Sequence, residues 1–347
     1  MVEEDVMVSM KDIARECGVS VATVSKALNN YNDIGTETRK KIQETAQRME
    51  YFPNSSARAL KTSRTYNLGV LFVDEANSGL THDFFAHILE SFKKTAEERG
   101  YDITFTSNSI ASRKTTYLEH CRYRGVDGVV IACIDFYSDA VQELIRSSLP
   151  VVTIDHVFDN RISVMSDNVK GMKELTQFVY RKGHRKIAYI HGADSSVTRA
   201  RLSSFYHTLF DLNVRVPEEY VSECAYRDVE MAERETERLL ELKEPPTCIF
   251  YPDDTSCIGG LNVLRRHRLR IPEDISVCGY DGLQIASLLS PKLTTVWQDT
   301  TTIGRYAAEK LISLIENPKT TLIEHIIVPG RVVPGETVAD INGKNGR

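Results

Sequence analysis

The chain lacks any long apolar run; nothing in it approaches the ~18–20 residues that a membrane-spanning helix needs. At 347 residues, 41% hydrophobic and 26% charged, it reads as a soluble globular protein too long for one ordinary core. The opening Met1-Val-Glu-Glu-Asp-Val is acidic and has no basic n-region. No secretory signal is therefore expected, and the expected location is cytoplasmic, away from membrane. The seven cysteines (17, 121, 133, 224, 248, 257 and 278) are odd in number and show no Cys-x-x-Cys spacing. Free thiols in a reducing compartment are the natural reading. The nine histidines form no His-Glu-x-x-His pair and no Cys/His cluster, so neither a metal nor another cofactor is expected. There is no Gly-x-Ser-x-Gly elbow and no phosphate loop ending Gly-Lys-Ser/Thr, and an enzyme is not expected.

What is present starts at residue 10. Ile13, Ala14 and Cys17 recur at helical spacing and form one apolar face. Gly18 follows, where a helix end needs a residue tolerant of positive φ. Ser20 stands at the N-cap position of a second helix. In that helix Val24, Ala27 and Leu28 turn inward, leaving Val21, Ala22, Ser25, Lys26 and Asn29 outside. A short helix with a small outer face and one cation fits a DNA major groove; an ordinary helical hairpin is the plain alternative. Residues 38–50 make a third amphipathic helix with Ile42, Ala46 and Met49 inward, and Pro53 lies just beyond it.

Net charge is −5, but it is unevenly spread. Residues 1–6 carry three acids, residues 7–66 carry ten Lys/Arg against six Asp/Glu, a net +4, and residues 67–347 carry −6. A small basic head on an acidic body suits a protein that touches phosphates with one end.

Residues 62–67 are polar and read as a linker. Beyond them, strand-length apolar runs at 68–73, 128–134, 150–154, 186–191, 247–251, 275–278 and 293–297 are interspersed with helical segments. That pattern predicts βαβ units and doubly wound parallel sheets, and the length suggests two lobes. In such lobes ligands bind beyond the carboxyl ends of the strands. Asp135, Asp155, Asp253, Asp281 and Gln298 each follow a predicted strand. Each alone suits a helix N-cap or a turn; together they suggest one cleft wall.

The helix-turn-helix, Thr38-Arg39 and the Ala57-Arg58-Ala59-Leu60 segment resemble the LacI/GalR family of bacterial transcription regulators. The resemblance runs over roughly 8–335, through Gly183-His184-Arg185-Lys186-Ile187, Arg201, Asp253-Asp254, Ile271-Pro272, Asp281 and Leu293-Thr-Thr-Val-Trp-Gln-Asp299. It implies an all-α helix-turn-helix head over 1–53 and a hinge helix and linker over 54–66. The body is then a two-lobed, periplasmic-binding-protein-like α/β fold with parallel sheets. Its N-terminal lobe is 67–165 plus 297–327 and its C-terminal lobe 166–296 plus 328–338. The remaining tail, 339–347, follows a polar composition that sets in at Thr337 and is expected to be disordered or loosely packed.

The resemblance further implies effector-binding residues at Asp155, Arg201, Asp253, Asp281 and Gln298, with Asp135 on the same wall. Phe84 or Phe85 matches an aromatic position near the ligand; Phe85 is the candidate, one of the two being expected as helix core. Four carboxylates against one arginine disfavour a multiply charged anion. They suit a sugar or polyol, whose hydroxyls both donate and accept; a nucleoside is the alternative effector.

For DNA, the resemblance implies Val21 and Ala22 against bases, and Lys26 on a guanine or a phosphate. Ser9, Ser25 and Asn29 are candidates for backbone contacts, with helix capping as the alternative for Ser9 and Asn29. The segment containing Ala57 and Leu60 is too short to hold a helix alone. It would order when two copies pair over DNA, with Leu60 wedged into the minor groove. The expected assembly is a homodimer on a pseudo-palindromic double-stranded operator, its affinity linked to the effector. Two other readings stand beside this one: a solute-binding protein with an incidental helical head, and a cytosolic sugar-handling enzyme.

Overall fold

Gly18 and Ser20 shape the N-terminal unit. In the computed structural model, which describes residues 8–28, 31, 33–51, 64–73 and 79–343, α1 (Met10–Cys17) stops at Gly18, whose φ is 70°. The amides of Gly18 and Val19 return to the carbonyls of Arg15 and Ala14, satisfying acceptors that a helix end leaves open. Two residues on, Ser20 Oγ accepts from the Thr23 amide at 3.1 Å and starts α2 (Val21–Leu28). The third helix, α3 (Thr36–Arg48), begins after Gly35, slightly earlier than the apolar spacing predicts. Ile13, Ala14, Cys17, Val24, Ala27, Ile42 and Ala46 close a small core, with Leu28, Met49 and Tyr51 packed against it. Ile13, Val24 and Ile42 are fully buried, and each contributes about 1.5–3 kcal/mol of transfer free energy. The chain divides into two units, Met1–Thr65 and Tyr66–Arg347. The expected hinge positions Ala57 and Leu60 lie outside the described residues, as does Asn29.

The second unit is built from βαβ repeats. In order come β1 (Asn67–Phe72), α4 (Asp83–Glu98), β2 (Asp102–Phe105), a small hairpin of β3 (Ser109–Ile110) and β4 (Arg113–Lys114), and α5 (Tyr117–Arg124). Next are β5 (Gly128–Ala132), α6 (Asp139–Arg146), β6 (Val151–Ile154) and β7 (Ile162–Ser166). The chain continues through α7 (Asn168–Arg181), β8 (Ile187–His191), α8 (Ser196–Asp211), β9 (Val221–Glu223), α9 (Val229–Leu240), β10 (Cys248–Phe250), α10 (Asp254–Arg266) and β11 (Ser276–Cys278). It ends with α11 (Gln284–Leu288), β12 (Thr295–Trp297), α12 (Thr300–Glu316), β13 (His325–Val328) and β14 (Arg331–Val333).

Two parallel sheets result. The first has the order β13-β7-β6-β5-β1-β2 and the second β11-β10-β8-β9. Every residue of β5 is buried, as expected where helices cover both faces of a parallel sheet. On one face of the first sheet, Phe92 of α4 and Leu311 of α12 join Leu68, Val130 and Val152. On the other, Leu118 of α5 and Leu144 of α6 meet Leu71, Val129 and Ile131. The second sheet is covered likewise by α7 and α8 on one side and α9 and α10 on the other. The chain leaves the first sheet after β7, returns to it through α12 and β13, and leaves again into β14. β12 and β14 pair antiparallel, with Trp297 opposite Arg331.

The C-terminal segment differs from expectation. Polar composition suggests looseness from Thr337, yet Thr337 is fully buried. Its hydroxyl donates to Val277 O at 2.7 Å and accepts from Thr294 N at 2.9 Å. Ala339 N donates to Ser276 Oγ, and Ile341 N to Lys182 O. The polar residues satisfy backbone groups of the second sheet and of α7, which composition alone does not reveal. Among the described residues, no helix is long and apolar enough to cross a membrane.

Candidate functional site

In the head, Val21 and Ala22 stand on the exposed side of α2, and Ser25 is half-buried. Lys26, the one basic residue of α2, pairs with Asp33 at 2.5 Å. Ser9 is the N-cap of α1: its amide and hydroxyl both donate to Asp12 Oδ2, at 3.0 and 2.6 Å. The capping role is thus realised, and the hydroxyl proton is committed to Asp12.

In the body, the strand-end residues converge on a buried arginine. Arg201, on α8, is 3% exposed. Its Nε donates to Asn168 Oδ1 at 2.8 Å and its Nη1 to Pro252 O at 3.1 Å. Nη2 lies 3.8 Å from Asp281 Oδ1, and the guanidinium sits 3.6 Å over the Tyr280 ring. A buried guanidinium needs this many partners to offset desolvation. Gln298 Nε2 donates to Asp281 Oδ1 at 2.7 Å.

Asp155 and Asp281 follow β6 and β11 with left-handed φ values of 62° and 101°. A non-glycine residue held there costs about 1–3 kcal/mol, and such strain clusters at functional sites. Burial pushes the Asp281 carboxyl up to about 7, against the pull of Arg201 and with a further push from Asp253. Burial likewise raises Asp155 to about 6, opposed by Arg201 and a Ser166 backbone hydrogen bond. Asp155 Oδ1 is buried with no hydrogen-bond partner, an arrangement that costs free energy unless something donates to it.

Asp253 is differently occupied. It caps α10, accepting from Ser256 N at 2.7 Å, Ser256 Oγ at 2.9 Å and Arg227 N at 2.8 Å. Asp135 stands apart from the buried group: it is exposed and forms a turn by accepting from Tyr137 N. Phe84 and Phe85 are both buried in the first sheet's core, rather than one only. Phe85 packs 5.5 Å from Phe72 and 4.9 Å from His82, centroid to centroid.

Several residues of this centre carry no signal in helical or strand periodicity. Tyr189, in the middle of β8, has a buried hydroxyl without a partner. Tyr226 donates to or accepts from Thr198 Oγ1 at 2.8 Å, and its ring covers Gly192 so closely that any Cβ there would collide with it. Asp254 is buried and accepts from Thr295 Oγ1 at 2.6 Å and Leu283 N at 2.7 Å; its carboxyl is raised by burial and then by Asp281. The adjacent carboxylates of Asp253-Asp254 are the one sequence signal that pointed to it. On the first-sheet side, Phe136 stacks on His156 at 4.4 Å, and exposed Tyr137 meets the same ring edge-on.

Hydrogen bonds also join the two sides. Ser196 Oγ donates to Asp155 O at 2.7 Å, and Arg199 Nη2 to Tyr137 Oη at 3.2 Å. Arg227 Nη2 donates to Thr81 O at 3.4 Å.

A three-helix head with an exposed second helix, joined in sequence to two parallel sheets with polar residues at their carboxyl ends, defines a class of protein: a helix-turn-helix regulator with a periplasmic-binding-protein-like body. Comparison with known proteins agrees. Residues 9–54 match "Bacterial regulatory proteins, lacI family", and residues 176–338 match "Periplasmic binding protein-like domain". The chain is 31% identical over 323 residues to the probable HTH-type transcriptional repressor ExuR of Bacillus subtilis, covering 90% of this chain and 93% of the relative. It is 30% identical to the ribose operon repressor of Haemophilus influenzae, covering 93% and 96%. Among solved structures, the lac repressor dimer bound to operator and the anti-inducer ONPF shares the fold at TM-score 0.79 and 24% identity, covering 96% of this chain and 99% of that one. A CelR–cellobiose complex does so at TM-score 0.69 and 24% identity, covering 95% and 99%. The chain belongs to the lacI family of bacterial regulatory proteins. It is a transcriptional regulator.

Proposed function

We propose that this protein is a repressor that binds a pseudo-palindromic operator as a homodimer and releases or grips it according to a sugar or polyol held between the two sheets. The observation that carries the effector reading is the unpartnered Asp155 Oδ1, buried beside Arg201. A ligand hydroxyl donating to that oxygen removes the cost of leaving it unmade. Asp281 and Gln298 offer further acceptors. The Arg201 nitrogens are turned to Asn168, Pro252 and Asp281, so the centre offers a ligand several carboxyl groups and little uncommitted cation. That balance favours a neutral polyhydroxylated molecule over an acid. Asp253 contributes to the wall mainly as a helix cap, Asp135 lies apart from it in a turn, Phe85 supports it from the core, and Tyr137 is the exposed ring at its edge.

On the head, Val21 and Ala22 meet bases and Lys26 reaches into the groove. Ser25, with Asn29, sets register on the DNA backbone, while Ser9 is kept as the cap of α1. Ala57 and Leu60 form the hinge contact in the minor groove. A ribose-related or disaccharide effector is in line with the likeness to the ribose operon repressor and to the CelR–cellobiose complex. The test is a thermal-shift screen of neutral sugars, polyols, sugar acids and nucleosides. A neutral sugar or polyol raises the midpoint of the parent, and Asp155→Ala, itself folded, loses that rise. A rise with sugar acids alone, or an undiminished rise in Asp155→Ala, contradicts the reading.

A further inference from the structure

The ion pair between Lys26 and Asp33 is unusual in its placement. Exposed ion pairs add little to stability, and both side chains are about half exposed, at 47% and 52%. The pair is nevertheless held from both ends. Lys26 is fixed by α2, and Tyr31 N donates to Lys26 O at 3.0 Å. Close to Asp33 in sequence, Arg39 Nη2 donates to Tyr31 O at 2.7 Å and to Ile34 O at 3.3 Å. A carboxylate is thus fixed beside the one cation of a helix whose outer face is otherwise small.

We propose that Lys26 and Asp33 act as one reading unit for a single G·C base pair: the ammonium donates to guanine O6 and N7, and the carboxylate accepts from the cytosine N4 amino group. The inference rests on the reading of α2 as the groove-facing helix. In the major groove a G·C pair presents two purine acceptors and then a donor. Lys26 has N–H donors beyond the one given to Asp33, and the carboxylate has lone pairs beyond the one given to Lys26. O6 and N4 are hydrogen-bond neighbours in the base pair, as Nζ and Oδ2 are in the protein. Guanine N7 gives the ammonium a second acceptor; a thymine in that place offers a methyl group instead. Asp33 also repels phosphate, so it weakens binding to duplexes that lack the matching pair. Asp33 is therefore a specificity-determining residue.

The test is selection from a randomised duplex pool with the full chain, comparing the parent with Lys26→Ala and Asp33→Ala. Because the pair is exposed, thermal midpoints stay unchanged and all three proteins are folded. The parent enriches sites with a fixed G·C pair in each half-site. Both variants lose preference at that same pair, by about tenfold, while other positions persist, and Asp33→Ala binds unselected duplex more tightly than the parent. Retained G·C preference in Asp33→Ala, loss at a different position from Lys26→Ala, or a shared position that is not G·C overturns the inference while leaving the DNA-reading head intact. Enrichment of no sequence by the parent overturns that head and the inference with it.

Discussion

The guanidinium of Arg331 lies 4.1 Å from the centroid of the Trp297 ring, where β12 and β14 run antiparallel. Trp297 is the single tryptophan of the chain. Its backbone bridges to Asp281, and Gln298 follows it directly. A ligand that contacts Asp281 and Gln298 therefore perturbs the one indole available to report it. Titrating a stabilising sugar is expected to give a saturable change in tryptophan emission, at the same midpoint concentration as the thermal shift. Arg331→Ala is expected to change the starting emission by removing the stacked cation. An emission insensitive to a ligand that shifts the thermal midpoint contradicts this placement.

Stability should carry the signature of Asp281. Its folded carboxyl titrates near 7 against an ordinary 3.8. The folded state therefore holds a proton that the unfolded state has released, and this stabilisation is present at low pH and lost as pH rises through about 7. Between about pH 5.5 and pH 8, the parent is expected to lose more stability than Asp281→Asn, by roughly 1–2 kcal/mol. The comparison with the variant cancels the opposing contributions of His120, His156 and His184, all lowered by burial. Equal slopes in parent and variant would show that Asp281 is not the titrating group.

Effector affinity should follow the same group in the opposite sense. If a hydroxyl donates to the Asp281 carboxylate, the charged form binds better. Affinity measured by calorimetry is then expected to rise several-fold from about pH 5.5 to pH 8 in the parent and to be flat in Asp281→Asn.

Removing Arg201 tests the centre from the other side. Arg201→Ala leaves Asp281, Asp253 and Asp254 buried around an uncompensated hole. It is expected to cost about 3–5 kcal/mol in denaturant unfolding of the body and to abolish the thermal response to effector. The milder Arg201→Lys keeps the charge but not the fork to Asn168 and Pro252; it is expected to fold and still lose most effector affinity.

His184 provides a structural contrast. It is buried and bonded to Thr247 Oγ1 at 2.9 Å and Ala339 O at 3.1 Å, tying the C-terminal segment to the second sheet. His184→Ala is expected to destabilise the body by about 2–3 kcal/mol while leaving effector affinity of the folded protein within about twofold.

Much of this was legible in residues whose local chemistry is decisive. Gly18 and Ser20 fix a turn through φ and capping, effects that act over a few residues. The parallel strands announce themselves because both faces are buried and the apolar runs are continuous. Asp155, Asp281 and Gln298 stand at strand ends, so topology alone gathers them around Arg201. Other features depend on distant partners and leave no periodic trace. Tyr189 and Tyr226 look like ordinary strand and loop tyrosines until the fold brings them to Arg201. Thr337 reads as a polar tail until Val277 and Thr294 are placed beside it. Asp33 reads as one loop acid among many until Lys26 is seen at its side.

Linkage between the head and the effector centre is what would make operator binding answer to a small molecule. The measurement is operator affinity of the full chain, by fluorescence anisotropy on a duplex enriched from a randomised pool, with and without a saturating stabilising sugar. A change of about tenfold or more is expected, with the same factor for the sugar's own affinity when operator is present, as reciprocity requires. Identical operator affinity in the two conditions, with the sugar shown to be bound, would contradict it.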